Sequence, residues 1–199
     1  MPDLRPSLLY VIRHGQTDWN VEERLQGQAD TDINAVGQKQ ADGNGVRLAE
    51  LIGEAPAFRF VSSPLRRTRE TMERVRTGLG LPPQEYHLDP RLKELNFGEW
   101  EGFTYAELER EHPGATKARA LDKWGFVPPG ETAESYAMLA MRVRPWLEDV
   151  REPTVCVTHG GVIRALLFLT GQVEPEEAAT VPIPQDSILR FENGNVGWV

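Results

Sequence analysis

Three short apolar runs, Leu8 to Ile12, Phe58 to Val61 and Val155 to Val157, constrain this chain more than any other feature of it. Each is bounded by polar, Pro or Gly residues, and each is followed by a stretch with helical spacing. Strands that alternate with helices point to an α/β fold. The helices expected are Ala35 to Ile52, Pro64 to Leu79, Thr104 to Glu111, Ala133 to Val150 and Gly161 to Leu169. The most regular is Ala133 to Val150, where Tyr136, Leu139, Ala140, Val143, Leu147 and Val150 form one stripe that would pack on a sheet. Thr104 and Glu107 have the spacing of a capping box and mark a helix start. Ala35 to Ile52 is the weakest, since Gly37, Gly43 and Gly45 each cost about 1 kcal/mol relative to alanine. Ser187 to Phe191 and Val196 to Val199, around Asn193-Gly194, read as a closing hairpin at a sheet edge.

A length of 199 residues with 40% hydrophobic content suits one core, so residues 1–199 are expected to form a single domain. Charges and prolines interrupt the first ten residues where a secretory leader needs an apolar run, and no stretch approaches the length of a membrane span. A single cysteine, Cys156, cannot pair within the chain, and a cytoplasmic location is the expectation. The formal charge of −8 argues against nucleic-acid and anionic-membrane partners. An anion must therefore be held by a local cluster of cations.

Such a cluster is suggested where the strands end. Arg13-His14-Gly15 follows the first run, Ser63-Pro64-Leu65-Arg66-Arg67 the second and His159-Gly160-Gly161 the third. In parallel α/β sheets the ligand crevice lies at the carboxyl ends of the strands. A lone histidine at a strand end is more often a structural residue, but two His-Gly steps beside arginines shift that balance. The chemistry suits a phosphoryl group. Arginine offers fork-shaped cationic donors, helix N-termini and glycine-lined backbone offer more, and a neutral imidazole can attack phosphorus if an acid protonates the leaving oxygen.

The stretch LYVIRHGQTDWN resembles the signature of the histidine phosphatase superfamily, also called the phosphoglycerate mutase-like family. ERLQGQADTDINAVGQKQA, SSPLRRTRET, RLKELNFGEWEG, PPGET and VTHGGVIRALL are similar to its later blocks, in order. The resemblance implies a three-layer α/β sandwich, a mostly parallel central sheet with helices on both faces. It implies His14 as the phosphorylated nucleophile, Arg13 and Arg67 as phosphate-binding arginines, His159 as the second histidine of the pocket and Glu94 as the proton donor to the leaving group. Thr17, Asn20, Gln26, Gly27 and Gly160 fall where relatives line the phosphate or substrate. It also implies a small phosphomonoester as the partner, and a homodimer by family habit.

Plainer readings stand beside these. Arg66 and Arg69, interleaved with Glu70, read as a solvated helix face. Glu94 has no distinguishing spacing among thirty acidic residues. Cys156 and Arg164 are too far apart for a Cys-x5-Arg phosphatase loop, and Cys156 reads as core. Asp30, Asp32 and Asn34 imitate a calcium loop that lacks its glycine and its bidentate acid, and neither His87 nor His112 has a metal-ligand partner, so neither metal nor cofactor is expected.

Three functions remain: a phosphatase, a cofactor-dependent phosphoglycerate mutase and a catalytically inactive binding relative. An inactive relative should have lost one of Arg13, His14, Arg67, Glu94 or His159, and all five are present. The segment between the acid block and PPGET is short, Tyr105 stands where a mutase lysine would align, and Gly161 replaces a mutase asparagine. Lys117, Arg119 or Lys123 could restore charge from another turn. The expectation is hydrolysis, with α-ribazole phosphate, a sugar phosphate or a phosphoglycerate derivative as substrate.

Overall fold

A computed structural model describes residues 4–53 and 57–199. Its strands are β1 (Leu8–Arg13), β2 (Arg59–Ser62), β3 (His87–Leu88), β4 (Thr154–Thr158), β5 (Ile188–Glu192) and β6 (Asn195–Trp198). They form one six-stranded sheet in the order β3-β2-β4-β1-β5-β6. β3, β2, β4 and β1 run parallel, and the β5–β6 hairpin adds an antiparallel edge closed by Asn193 and Gly194, both with left-handed φ.

The side chains of each strand alternate between two cores, as the period of two requires. Leu9, Val11, Val61, Cys156, Leu189 and Phe191 enter one; Tyr10, Ile12, Phe60, Val155, Val157 and Ile188 enter the other. The first is covered by α6 (Tyr136–Asp149) and α7 (Gly160–Leu169), through Leu139, Val143, Ile163 and Leu166. The second is covered by α2 (Ala35–Ile52) and α3 (Arg66–Gly78), through Leu48, Met72 and Val75. The expected three-layer sandwich is the observed architecture. Cys156 is wholly buried, and burial pushes its thiol well up.

The expected α2 has the observed bounds, and two of its glycines, Gly37 and Gly45, have a packing reason. A Cβ on Gly37 would overlap the backbone of Gly15 and Gln16, so α2 crosses the tip of β1 at a distance that a side chain would forbid. Two expected helices start late. Leu65 is still extended, so α3 begins at Arg66; Ser135 accepts the Met138 N–H as N-cap, so α6 begins at Tyr136 rather than Ala133. The capping box of Thr104 and Glu107 opens α4 (Tyr105–Glu111). Unanticipated are the single-turn helix α1 (Asp18–Val21), α5 (Ala115–Leu121), α8 (Pro175–Ala178) and the two-residue strand β3.

Candidate active site

The sheet order puts β2, β4 and β1 side by side, and their ends are level. Arg13 is in register with Thr158, and Ser62 with Val157. The ladder continues one step further, His14 N–H donating to Thr158 O at 2.9 Å and Ser63 N–H to Val157 O at 3.1 Å. Backbone pairing alone therefore brings His14, Ser63 and His159 together. The two imidazole rings lie 5.3 Å apart, centroid to centroid, tilted by 60°.

Each ring is fixed through one nitrogen. His14 Nδ1 lies 2.8 Å from Gly15 O, and since a carbonyl only accepts, Nδ1 carries the proton and Nε2 keeps its lone pair. His159 Nε2 lies 2.8 Å from Ser63 Oγ. That oxygen accepts Leu65 N–H at 3.4 Å and has its own proton, so the contact accommodates the tautomer of His159 that is protonated on Nδ1. Burial, followed by Arg67 and Arg13, holds His14 well below the ordinary imidazole range. Burial, Arg67, His14 and Arg13 do the same to His159. Both rings are neutral at pH 7.

Arg67, in the first turn of α3, is completely buried. Its Nη1 and Nη2 donate to Ala29 O and Gly27 O, each at 2.7 Å. Burial lowers its pKa to about 10 against the opposing pull of Glu94, Asp30 and Glu101, so it stays charged. Arg13 is anchored by Nη1 on Ile183 O at 2.7 Å. Arg13 Nε, Arg67 Nε and His159 Nδ1 are buried without a hydrogen-bond acceptor among the described residues. Buried donors demand acceptors, and a phosphoryl oxygen is the acceptor that suits a cluster of cationic and imidazole N–H groups.

Glu94 comes from the loop after a 3₁₀ turn at Pro90–Leu92. Its Oε1 accepts Leu95 N–H at 2.8 Å, and its Oε2 accepts Gly161 N–H, in the first turn of α7, at 3.1 Å. A Cβ on residue 161 would overlap Glu94 Oε1, so glycine there is what lets the carboxylate seat against the first turn of α7.

Of the other expected site residues, Thr17, Asn20, Gly27 and Gly160 connect to this framework, while the Gln26 side chain bonds elsewhere, to Thr31. Thr17 caps α1, and Asn20 Oδ1 accepts Thr17 N–H at 3.1 Å. Gln185 Nε2 then bridges Asn20 Oδ1 and His14 O, each at 3.0 Å. Gln26 Oε1 is taken by the Thr31 hydroxyl at 2.9 Å, and Gly27 serves through its carbonyl on Arg67. Gly160, buried, opens α7 directly after His159. Arg66 is exposed and paired with Asp32 at 2.9 Å, as its solvated reading implies.

Sequence reasoning misses the supports. Ser63 belongs to the SSPLRRTRET block, but its partner lies 96 positions on. Arg142 on α6 donates to Arg91 O, Lys93 O and Glu94 O at 2.8, 3.0 and 3.2 Å and pairs with Glu134 at 2.7 Å, so one guanidinium braces the acid's backbone. Nothing in local spacing announces Arg142 or Gln185.

A sequence model described as the histidine phosphatase superfamily (branch 1) matches residues 9–199. The chain is 36% identical over 178 residues to glucosyl-3-phosphoglycerate phosphatase of Mycobacterium tuberculosis, across 82% of this chain and 74% of that one. It is 35% identical over 164 residues to metal-independent phosphoserine phosphatase of Arabidopsis thaliana, across 79% and 66%. A solved structure of mycobacterial glucosyl-3-phosphoglycerate phosphatase with VO3 superposes with a TM-score of 0.77 at 29% identity, covering 97% of this chain and 96% of that one.

Proposed function

The chain belongs to the histidine phosphatase superfamily, branch 1, and from that premise we propose that His14 carries the phosphoryl group from substrate to water. The protein is a phosphoric monoester hydrolase. The observation that carries the assignment of His14 is its tautomer: Nδ1–H is spent on Gly15 O, so Nε2 is an unprotonated nucleophile in a cationic, water-poor setting.

In the first step the Nε2 lone pair forms the N–P bond as the ester P–O bond breaks, and the departing oxygen takes a proton from the Glu94 carboxyl. Arg13, Arg67 and His159 Nδ1–H stabilise the charge that builds on the phosphoryl oxygens. In the second step water attacks phosphorus, gives its proton to the Glu94 carboxylate, and the N–P bond breaks with its electrons returning to the imidazole. The products are an alcohol and inorganic phosphate, and the enzyme is regenerated.

Phosphoglycerate derivatives are the substrate class this reading favours over α-ribazole phosphate or sugar phosphates, since the relatives above are named for phosphoglycerate and phosphoserine. We place the enzyme in the cytoplasm; no helix among the described residues is long and apolar enough to cross a membrane. The test is to supply 3-phosphoglycerate with catalytic 2,3-bisphosphoglycerate and follow inorganic phosphate and 2-phosphoglycerate together. Phosphate release that outpaces isomerisation, and that disappears in His14→Ala, is expected. Isomerisation faster than release by orders of magnitude would make the protein a mutase.

A further inference from the structure

Three side chains that the hydrolysis scheme does not use converge on the two peptides around Gly15. The ladder between β1 and β4 ends with the His14 N–H, so sheet pairing reaches no further than that nitrogen. The carbonyl that holds the imidazole lies beyond it, on Gly15. Glycine is forced on that position, because a Cβ on residue 15 would overlap the backbone of Gly37 where α2 crosses the strand tip. The same lack of a Cβ makes residue 15 a permissive link in the chain at the place where the nucleophile needs a stiff one.

Side chains supply the stiffness. The His14–Gly15 peptide is held at both ends: its carbonyl accepts Gln185 Nε2–H at 3.0 Å, and its N–H donates to Thr71 Oγ1 at 3.0 Å. Thr71 is wholly buried on α3 and donates its hydroxyl proton to Arg67 O at 2.8 Å, which ties this peptide to the turn that bears Arg67. The Gly15–Gln16 peptide is also held at both ends. Its carbonyl accepts His14 Nδ1–H at 2.8 Å, and its N–H donates to Gln40 Oε1 at 2.9 Å. Gln40 is half-buried on α2.

We infer that Gln40 is a positioning residue for the nucleophile: through the Gly15–Gln16 peptide it holds the carbonyl that keeps the His14 proton on Nδ1 and the lone pair on Nε2. A peptide is planar, so fixing the direction of its N–H fixes that of its C=O. Amide oxygen, peptide and imidazole also form a chain in which each hydrogen bond polarises the next. As Nε2 closes on phosphorus the ring takes on positive charge, Nδ1–H becomes a charge-assisted donor, and its bond to Gly15 O strengthens in the transition state. Gln40 therefore acts on the rate of phosphoryl transfer to His14, and phosphate binding is left to Arg13 and Arg67.

The role rests on the phosphohistidine reading above. It is tested with Gln40→Met, which keeps length and loses the acceptor, and Gln40→Glu, which restores an acceptor oxygen. Single-turnover quench should show the first-order rate constant for phosphohistidine formation lowered about tenfold in Gln40→Met and largely recovered in Gln40→Glu, with inhibition by inorganic phosphate within about twofold of native in both. Nitrogen NMR of the imidazoles, with the His14 signal identified by its loss in His14→Ala, should show Nδ1 protonated in the native protein and in Gln40→Glu. Gln40→Met should show a share of the form protonated on Nε2. Both readouts are properties of folded molecules, so partial unfolding lowers amplitudes and moves neither. Gln40→Ala, a better helix former, repeats the test if Gln40→Met disturbs α2. A rate constant unchanged in Gln40→Met, a fall that Gln40→Glu shares in full, or a fall with the His14 signal unmoved overturns the role. Failure of the phosphohistidine reading is a different result, the absence of label from His14 in the native chain itself.

Discussion

The two halves of the site hold their residues in different ways. His14, Ser63 and His159 stand one residue beyond β1, β2 and β4, and the ladder bonds from His14 N–H to Thr158 O and from Ser63 N–H to Val157 O fix them with the sheet itself. Glu94 stands on a loop, and side chains hold it: Arg142 grips the carbonyls of Arg91, Lys93 and Glu94 while Glu134 holds Arg142. The difference teaches where sensitivity should lie. At the strand ends a substitution should cost chemistry and leave geometry alone. At the loop, a residue that never touches substrate should be able to misplace the acid.

The largest contrast is expected at Glu94. Glu94→Gln should lower turnover of an alkyl phosphate roughly 10²–10⁴-fold and that of an aryl phosphate with a low-pKa leaving group far less, because the aryl oxide leaves without a proton. Equal losses on both esters would reduce Glu94 to a positioning role. Arg67→Met should cost roughly 10²–10³-fold on both esters, since it removes a donor to the phosphoryl group whatever the leaving group is. An ester-dependent loss at Arg67 would blur the division between the halves.

Arg142→Met sharpens the comparison. Loosening the brace should reproduce the Glu94→Gln pattern in weaker form, about tenfold on alkyl and little on aryl esters, since small displacements of a catalytic group are costly. The double variant Arg142→Met/Glu134→Gln removes the unpaired carboxylate and should behave alike. Uniform loss on both esters would mean that Arg142 supports the fold rather than the acid.

What was legible follows the same division. The strand runs, α2 and the His-Gly steps are readable because apolar patterning and strand-end position are local properties. β3, with two exposed residues, and the single turn of α1 are too short to carry a period. Arg142 and Gln185 could not be found, because their partners lie 48 and 171 positions away and the bonds exist only once α6 and the β5 approach are packed. Arg119 is one of the cations that another turn can bring near the site, but its burial against Phe97 and Tyr136 exists only in the fold.

A smaller effect concerns stability. Both histidines have folded pKa values below the ordinary one near 6.5, so on unfolding below that pH each takes up a proton that the folded protein refuses. Stability should be flat for these groups above about pH 7.5 and fall as pH drops below about 6.5, by up to about 1.4 kcal/mol per pH unit per histidine. Denaturant unfolding from pH 8 to pH 5 measures it, and His159→Asn should show a shallower fall than the native chain.

The central claim is that the phosphoryl group passes through His14, and rapid quench during turnover of a labelled phosphomonoester, followed by mass-spectrometric mapping, tests it most directly. An acid-labile phosphoryl group on His14, formed before inorganic phosphate appears and absent from His14→Ala, is the predicted result. Label on His159, or full activity with no phosphohistidine formed, would contradict the account.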